Sequence, residues 1–346
     1  MSQNAALALP LPSQRSSESA WLLSRRWDLV FLIGGALLVP LPLLIKNGFG
    51  LSVSAVNLAI TVLIGGPHLF ATFSYTLLEK RFWKLHPYYA MGAFAIPPLV
   101  VYLGLNHFPV LIGVFFFWAS IHILHQMCFL VDCYQAKRKT ATAWARLIDY
   151  GVVFTSIYPI AIYKMVNGTF TVAGQTLKLP FVLGNHFVFV AMTSLFAAAL
   201  ALYLGKCVWE IREKTLNGPK TLLILVTVVV SFLIPIPKDL DVTFQGFNTW
   251  HSLQYIGLAW WINVLRKERA EISSPLVNKI AGRSRTPYFY AACLVPTLIF
   301  LGIIAILVRT TSLPSNQCYF MVVLSGLLAH YYFDHWVFTK TQAVVP

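Results

Sequence analysis

Hydrophobic residues run through this chain in long blocks separated by short polar stretches. Ten blocks follow one another, at 28–46, 52–78, 88–105, 108–131, 147–164, 181–206, 221–237, 244–265, 288–308 and 316–338. A helix rising about 1.5 Å per residue crosses the hydrocarbon core of a bilayer in about 20 residues, so each block predicts a membrane span. The fold class expected is therefore all-α, a polytopic membrane bundle of about ten transmembrane helices. Because the connections are short, residues 21–346 read as a single transmembrane domain, and the small, polar residues 1–20 as a disordered cytoplasmic tail. Ser24-Arg25-Arg26 stands before the first block, but Asp28 interrupts a twin-arginine signal, and Trp21 and Trp27 read as interfacial anchors. Between Asn167 and Pro180, apolar and polar residues alternate around Ala173-Gly174, which predicts a small hairpin over the outer face.

Composition agrees with lipid as the main solvent. The chain is 58% hydrophobic and 11% charged, against roughly a quarter charged residues in soluble domains. A net charge of +14 raises the question of nucleic acid, and the position of the charges answers it. With ten spans and the N-terminus inside, only Lys46, Lys164, Lys178, Lys238 and Arg309 of the 26 basic residues fall outside. This positive-inside pattern makes the charge topological, with both termini cytoplasmic, and leaves membrane lipids rather than nucleic acid as partners. Cys128, Cys133, Cys207, Cys293 and Cys318 are too scattered for a disulfide framework or a thiolate metal site.

Candidate chemistry lies where polar side chains fall at membrane depth, because such groups are costly to bury and usually have a partner or a task. His68, His122, His251 and His330 stand 11, 10, 15 and 10 residues from Glu79, Asp132, Arg266 and Lys340 at the inner ends of their helices. At 1.5 Å per residue, all four lie about 15–22 Å from the inner boundary, near the midplane. Each continues into a polar stripe at helical spacing. His122 is followed by His125 and Gln126; Asn248 precedes His251, Ser252, Gln254 and Tyr255; His330 pairs with Asp334, and His68 with Thr72. Pro67, after Gly65-Gly66, is expected to break the helix ladder just before His68 and favour a pocket there.

Imidazole is a common ligand of zinc, copper and iron, and several imidazoles with a carboxylate suit non-haem iron. The expected metal ligands are His68, His122, His251 and His330, with His125 a candidate fifth. Asp334, Gln126, Asn248, Gln254, Tyr255 and Thr72 are expected to support them, Asp334 orienting a ligand rather than binding the ion. His86, His107 and His186 read as interfacial, and Asp149, Asp239 and Asp241 as solvated boundary groups.

Gly66-Pro67-His68, Ile121-His122, His251-Ser252 and His330 with Asp334 resemble, in order and helix placement, motifs of the Brp/Blh family, bacterial membrane oxygenases that cleave β-carotene. The resemblance implies a multi-helix fold holding Fe(II) through His68, His122, His251 and His330. It also implies an apolar, carotenoid-like or other lipid substrate entering from the bilayer, molecular oxygen (O2) as co-substrate, and a place in the bacterial cytoplasmic (inner) membrane. Thr72, Tyr255 and the His125-Gln126 pair depart from the family pattern. Competing expectations are a bis-histidine haem protein for electron transfer, a metal or proton transporter, and a di-iron desaturase, which would need more histidines in close pairs than His122 and His125 supply.

Overall fold

The computed structural model describes residues 20–138, 142–177 and 184–345. Apart from Ala20, the expected N-terminal tail lies outside the described residues, as does the end of the expected outer hairpin, 178–180.

Among the described residues, seven helices are long and apolar enough to cross a membrane: Arg25–Phe49 (α1), Val53–Ser74 (α2), Pro87–Asn106 (α3), Phe108–Arg138 (α4), Ala143–Val166 (α5), His186–Arg212 (α6) and, after a gap of two helices, Arg283–Thr310 (α9). Gly218–Leu233 (α7) is apolar but shorter. Leu240–Glu268 (α8) and Ser315–Val337 (α10) have the length without the uniform hydropathy. Their polar residues, among them Gln245, Asn248, His251, Gln254, His330 and Asp334, are what dilute it. Large apolar side chains on the flanks, including Leu37, Leu58, Leu99, Leu202, Leu298 and Ile306, are exposed. Such a surface suits lipid rather than water.

α8 occupies the middle of the bundle, packed against α1, α2 and α9. Two close approaches depend on glycine. A Cβ on Gly246 would lie 1.9 Å from the Val39 carbonyl oxygen of α1, and one on Gly66 would lie 2.2 Å from Thr297 of α9. α10 packs on α2, α3, α4 and α9, which brings the polar segments of α2, α4, α8 and α10 together inside an apolar ring. The disruption expected at Gly65-Gly66-Pro67 takes the form of a π-helical turn, Thr61–Gly65, followed by the short α-segment Gly66–Ala71. Pro67 has no N–H to give the Leu63 carbonyl one turn earlier, and the Tyr290 hydroxyl of α9 donates to it instead. The widened π turn is a common device at functional sites because it re-aims the residues that follow.

On one face of the bundle the predicted hairpin forms, with Thr171 opposite Thr176 and Val172 opposite Gln175. Its turn uses Ala173 and Gly174, both at positive φ (53° and 72°), as a two-residue hairpin turn requires. Phe170 and Val172 are buried beneath it with Ile112, Met165 and Leu240.

At the opposite end, charged groups fasten the helices. Asp28 is fully buried and accepts from the Leu22 and Leu23 N–H groups and the Tyr134 hydroxyl. Ser24 caps the first turn by accepting from Trp27 N–H, so Ser24-Arg25-Arg26 begins a helix. Of the three aspartates expected to be solvated, Asp239 at the hairpin end is exposed, whereas Asp149 and Asp241 are held by protein groups. Asp149 is fully buried and bonded to Lys206, to Lys220 at 2.8 Å and to Gln135 at 2.9 Å, tying α4, α5, α6 and α7 together. Asp239 pairs with Lys46 at 2.6 Å, and Asp241 accepts from the hairpin's Ala173 N–H at 2.9 Å. Full burial of Asp28 and Asp149 leaves no water to solvate the carboxylate, so cations and polar donors replace it.

Candidate metal centre

His68, His122, His251 and His330 converge. One ring nitrogen from each lies within 4.8 Å of the corresponding atom on the other three, and all four residues are buried. The rings form a closed circuit: centroids are 4.8 Å apart for His68 and His251, 5.1 Å for His251 and His122, 5.2 Å for His122 and His330, and 4.4 Å for His330 and His68. Neighbouring planes cross steeply, at 65–83°. Edge-on rings around a common point present nitrogens inward instead of stacking to fill space. Bonds from a transition metal to imidazole nitrogen are about 2.0–2.1 Å, so ligands on opposite sides of one ion lie about 4 Å apart. Four nitrogens with no pair beyond 4.8 Å match that scale.

Hydrogen-bond satisfaction separates this cluster from four ordinary buried histidines. Both ring nitrogens of His68 and of His251, Nε2 of His122 and Nε2 of His330 are buried without a partner. Leaving one such group unpaired costs about 1–3 kcal/mol, and because a neutral imidazole carries one N–H and one lone pair, the four rings offer four lone pairs in one place, which call for an occupant that accepts them.

Asp334 adds a seventh unpaired atom. Its Oδ2 is buried without a hydrogen bond, 3.4 Å from His330 Nε2 and 3.8 Å from His122 Nε2. Its Oδ1 accepts from the Thr72 hydroxyl at 2.8 Å and from the Tyr255 hydroxyl. Tyr75 hydrogen-bonds to Tyr255 in turn. Since Thr72 gives its single proton to Asp334, it must accept from His330 Nδ1, 2.5 Å away. That bond fixes the His330 tautomer, with the proton on Nδ1 and the Nε2 lone pair facing the cluster. A hydroxyl placed between imidazole and carboxylate does here what the carboxylate alone does in many metal sites.

Of the other expected supports, Gln126 donates to the His251 backbone carbonyl at 3.2 Å and to Gln254 at 3.0 Å, and Gln254 donates to the Leu32 carbonyl at 2.5 Å. These amides fix the α8 backbone at His251 against α4 and α1 rather than hydrogen-bonding an imidazole. Asn248 donates to Gln245 and accepts from Ser252 one turn above His251. His125, the candidate fifth ligand, lies apart from the cluster: its ring faces His335 at 5.4 Å and Phe338 at 5.3 Å. His86 packs on Phe82 and Trp336, His107 on Tyr102, and His186 on Phe189.

Tyr75 escaped the sequence reading, although it lies on the same stripe as His68 and Thr72, at i+7 and i+3. Comparisons with protein-family models, curated proteins and solved structures returned no match, so the geometry of the site carries the functional reading.

Proposed function

We propose that the chain is a ten-span protein of the bacterial cytoplasmic membrane, with both termini inside, that holds Fe(II) through His68, His122, His251 and His330 and oxygenates an apolar, lipid-soluble substrate with O2. The observation that carries this reading is the set of unpartnered, buried imidazole nitrogens turned toward one point. Seven helices apolar enough to span, with three more completing the positive-inside pattern of the sequence, support the topology.

When bound, ferrous iron with an open position would supply the binding and activation of oxygen. The protein's part is to hold and to exclude. Four imidazoles from four helices fix the site rigidly, and Thr72 and Tyr255 orient Asp334 so that its free oxygen faces the same space. Tyr331 stacks on His122 at 4.0 Å and Tyr255 stands edge-on to His68 at 4.9 Å, walling off water. An apolar cavity above the centre, lined by Phe115, Phe116, Phe300 and Leu327, supports a hydrophobic substrate, carotenoid-like or another lipid. A haem fits less well, because the plane a macrocycle would occupy between any two axial imidazoles is filled by the other two rings. A di-iron desaturase is disfavoured by the position of His125.

Elemental analysis and a visible absorption spectrum of protein purified without added metal test the reading together. Stoichiometric iron without a Soret band is expected. A strong Soret band, or metal at background level, would refute it.

A further inference from the structure

Beneath the hairpin a cavity runs between α2, α4, α8, α9 and α10. It offers about 130 Å³ to the centre of a water-sized sphere, where a single water needs about 10–15 Å³ on the same measure. Its floor includes Leu69, Ile123 and Tyr331, the residues directly after His68, His122 and His330. The histidine cluster therefore lies immediately below it. Most of the wall is aromatic or aliphatic, but Asn57, Thr61, Asp241, Gln245, Asn248 and Tyr319 also line it.

These polar residues are ordered. Asp241, Gln245 and Asn248 follow one another at four and three residues along α8 and lead to His251. Asn57 stands 11 residues before His68, Asp241 stands 10 before His251, and Tyr319 stands 11 before His330. On three separate helices a polar group thus lies about 15–17 Å above the centre, at 1.5 Å per residue. Tyr319 is satisfied by Thr61 at 2.7 Å. Asn57 Oδ1 is buried with no partner. Asp241 has Oδ1 held by the hairpin.

We infer that the molecule bound in this cavity is a long apolar alcohol whose hydroxyl sits in the upper tier, with its hydrocarbon body directed down to the histidine centre. Asn57 Oδ1 and the Asp241 carboxylate accept while the Asn57 amide NH2 donates, so together they select a group that both donates and accepts, as a hydroxyl does. A plain hydrocarbon would leave Asn57 unsatisfied, which costs binding. A fatty acid would set its carboxylate against Asp241. This deepens the oxygenase reading, on which it rests for the fate of the bound molecule, while the binding step itself needs no metal.

The test is equilibrium binding of radiolabelled hexadecanol, hexadecane and hexadecanoate to the full-length protein in lipid nanodiscs, with iron measured on the same preparations. Hexadecanol should bind saturably and about tenfold more tightly than either of the others. Asn57→Leu, which removes a polar group from a membrane helix and should not impair folding, should abolish the preference over hexadecane. Asp241→Asn should raise the affinity for hexadecanoate. Equal affinities, no saturable binding of the alcohol, or a preference unchanged in both variants would overturn the inference. An alcohol preference in protein that never takes up iron would instead fail the metal reading alone.

Discussion

Replacing Asp334 with Asn should move metal affinity and metal-free stability in opposite directions. The substitution keeps the volume and a carbonyl oxygen able to accept from Thr72 and Tyr255. It puts an amide NH2 where Oδ2 stood, 3.4 Å from His330 Nε2 and 3.8 Å from His122 Nε2. A donor then competes for the lone pairs that a cation needs, and a negative charge beside the cation is lost. The effect of disturbing such a group is about 10- to 100-fold in affinity, equivalent to ~1.4–2.8 kcal/mol. Without metal the sign reverses. The wild-type protein buries a carboxylate oxygen with no partner, and a neutral amide that can donate to imidazole removes a penalty of about 1–3 kcal/mol. Chelator competition gives the affinity, and thermal unfolding with and without metal gives the stabilities. Metal-free Asp334→Asn should melt higher than metal-free wild type, and metal should raise its melting temperature less. Unchanged affinity would refute a role for Asp334 at the centre, and a lower metal-free melting temperature would mean that it holds the fold instead.

Three further outcomes follow from the packing. His68→Ala, His122→Ala, His251→Ala and His330→Ala should each lose most bound metal, whereas His125→Ala should retain it; elemental analysis that finds full metal in any two of the four contradicts the four-ligand site. Gly246→Ala should lower the melting temperature substantially, because its Cβ would meet the Val39 carbonyl at 1.9 Å and backbone must move, at a cost of about 1–3 kcal/mol or more. Asp149→Asn should destabilise by about 3–5 kcal/mol, since it leaves Lys206 and Lys220 buried beside a neutral amide; a denaturation midpoint equal to wild type would show that Glu210 alone suffices as their counterion.

Axial position was legible in the sequence, and azimuth was not. The four rings expected at one depth do meet, although the helix ends they were counted from lie elsewhere: α2 stops at Ser74 rather than Glu79 and α10 at Val337 rather than Lys340, while α4 runs on past Asp132 to Arg138 and α8 past Arg266 to Glu268. Rotation about the axis is less determined. His122, His125 and Gln126 share one stripe, yet the bundle turns His122 to the centre, Gln126 to the α8 backbone and His125 toward His335. Residues within about 60° of His122 on the helix wheel are sent to different partners by tertiary packing, which a stripe does not encode. The hairpin was legible because Ala173-Gly174 lies between alternating runs, so its turn chemistry is local. Asp149 was misread for the opposite reason. Its partners Lys206 and Lys220 are 57 and 71 residues away, and nothing near it in the chain announces them. Likewise, the polar tier above the centre needs three helices in register before Asn57, Asp241 and Tyr319 belong together.

X-ray absorption at the iron edge, on protein loaded with a single equivalent of ferrous iron, tests the central claim most directly. Convergence of His68, His122, His251 and His330 predicts a shell of about four nitrogen scatterers near 2.0–2.2 Å, with the outer-ring scattering of imidazole. A shell of sulfur, a shell of oxygen without imidazole features, or iron that washes off the protein would contradict it.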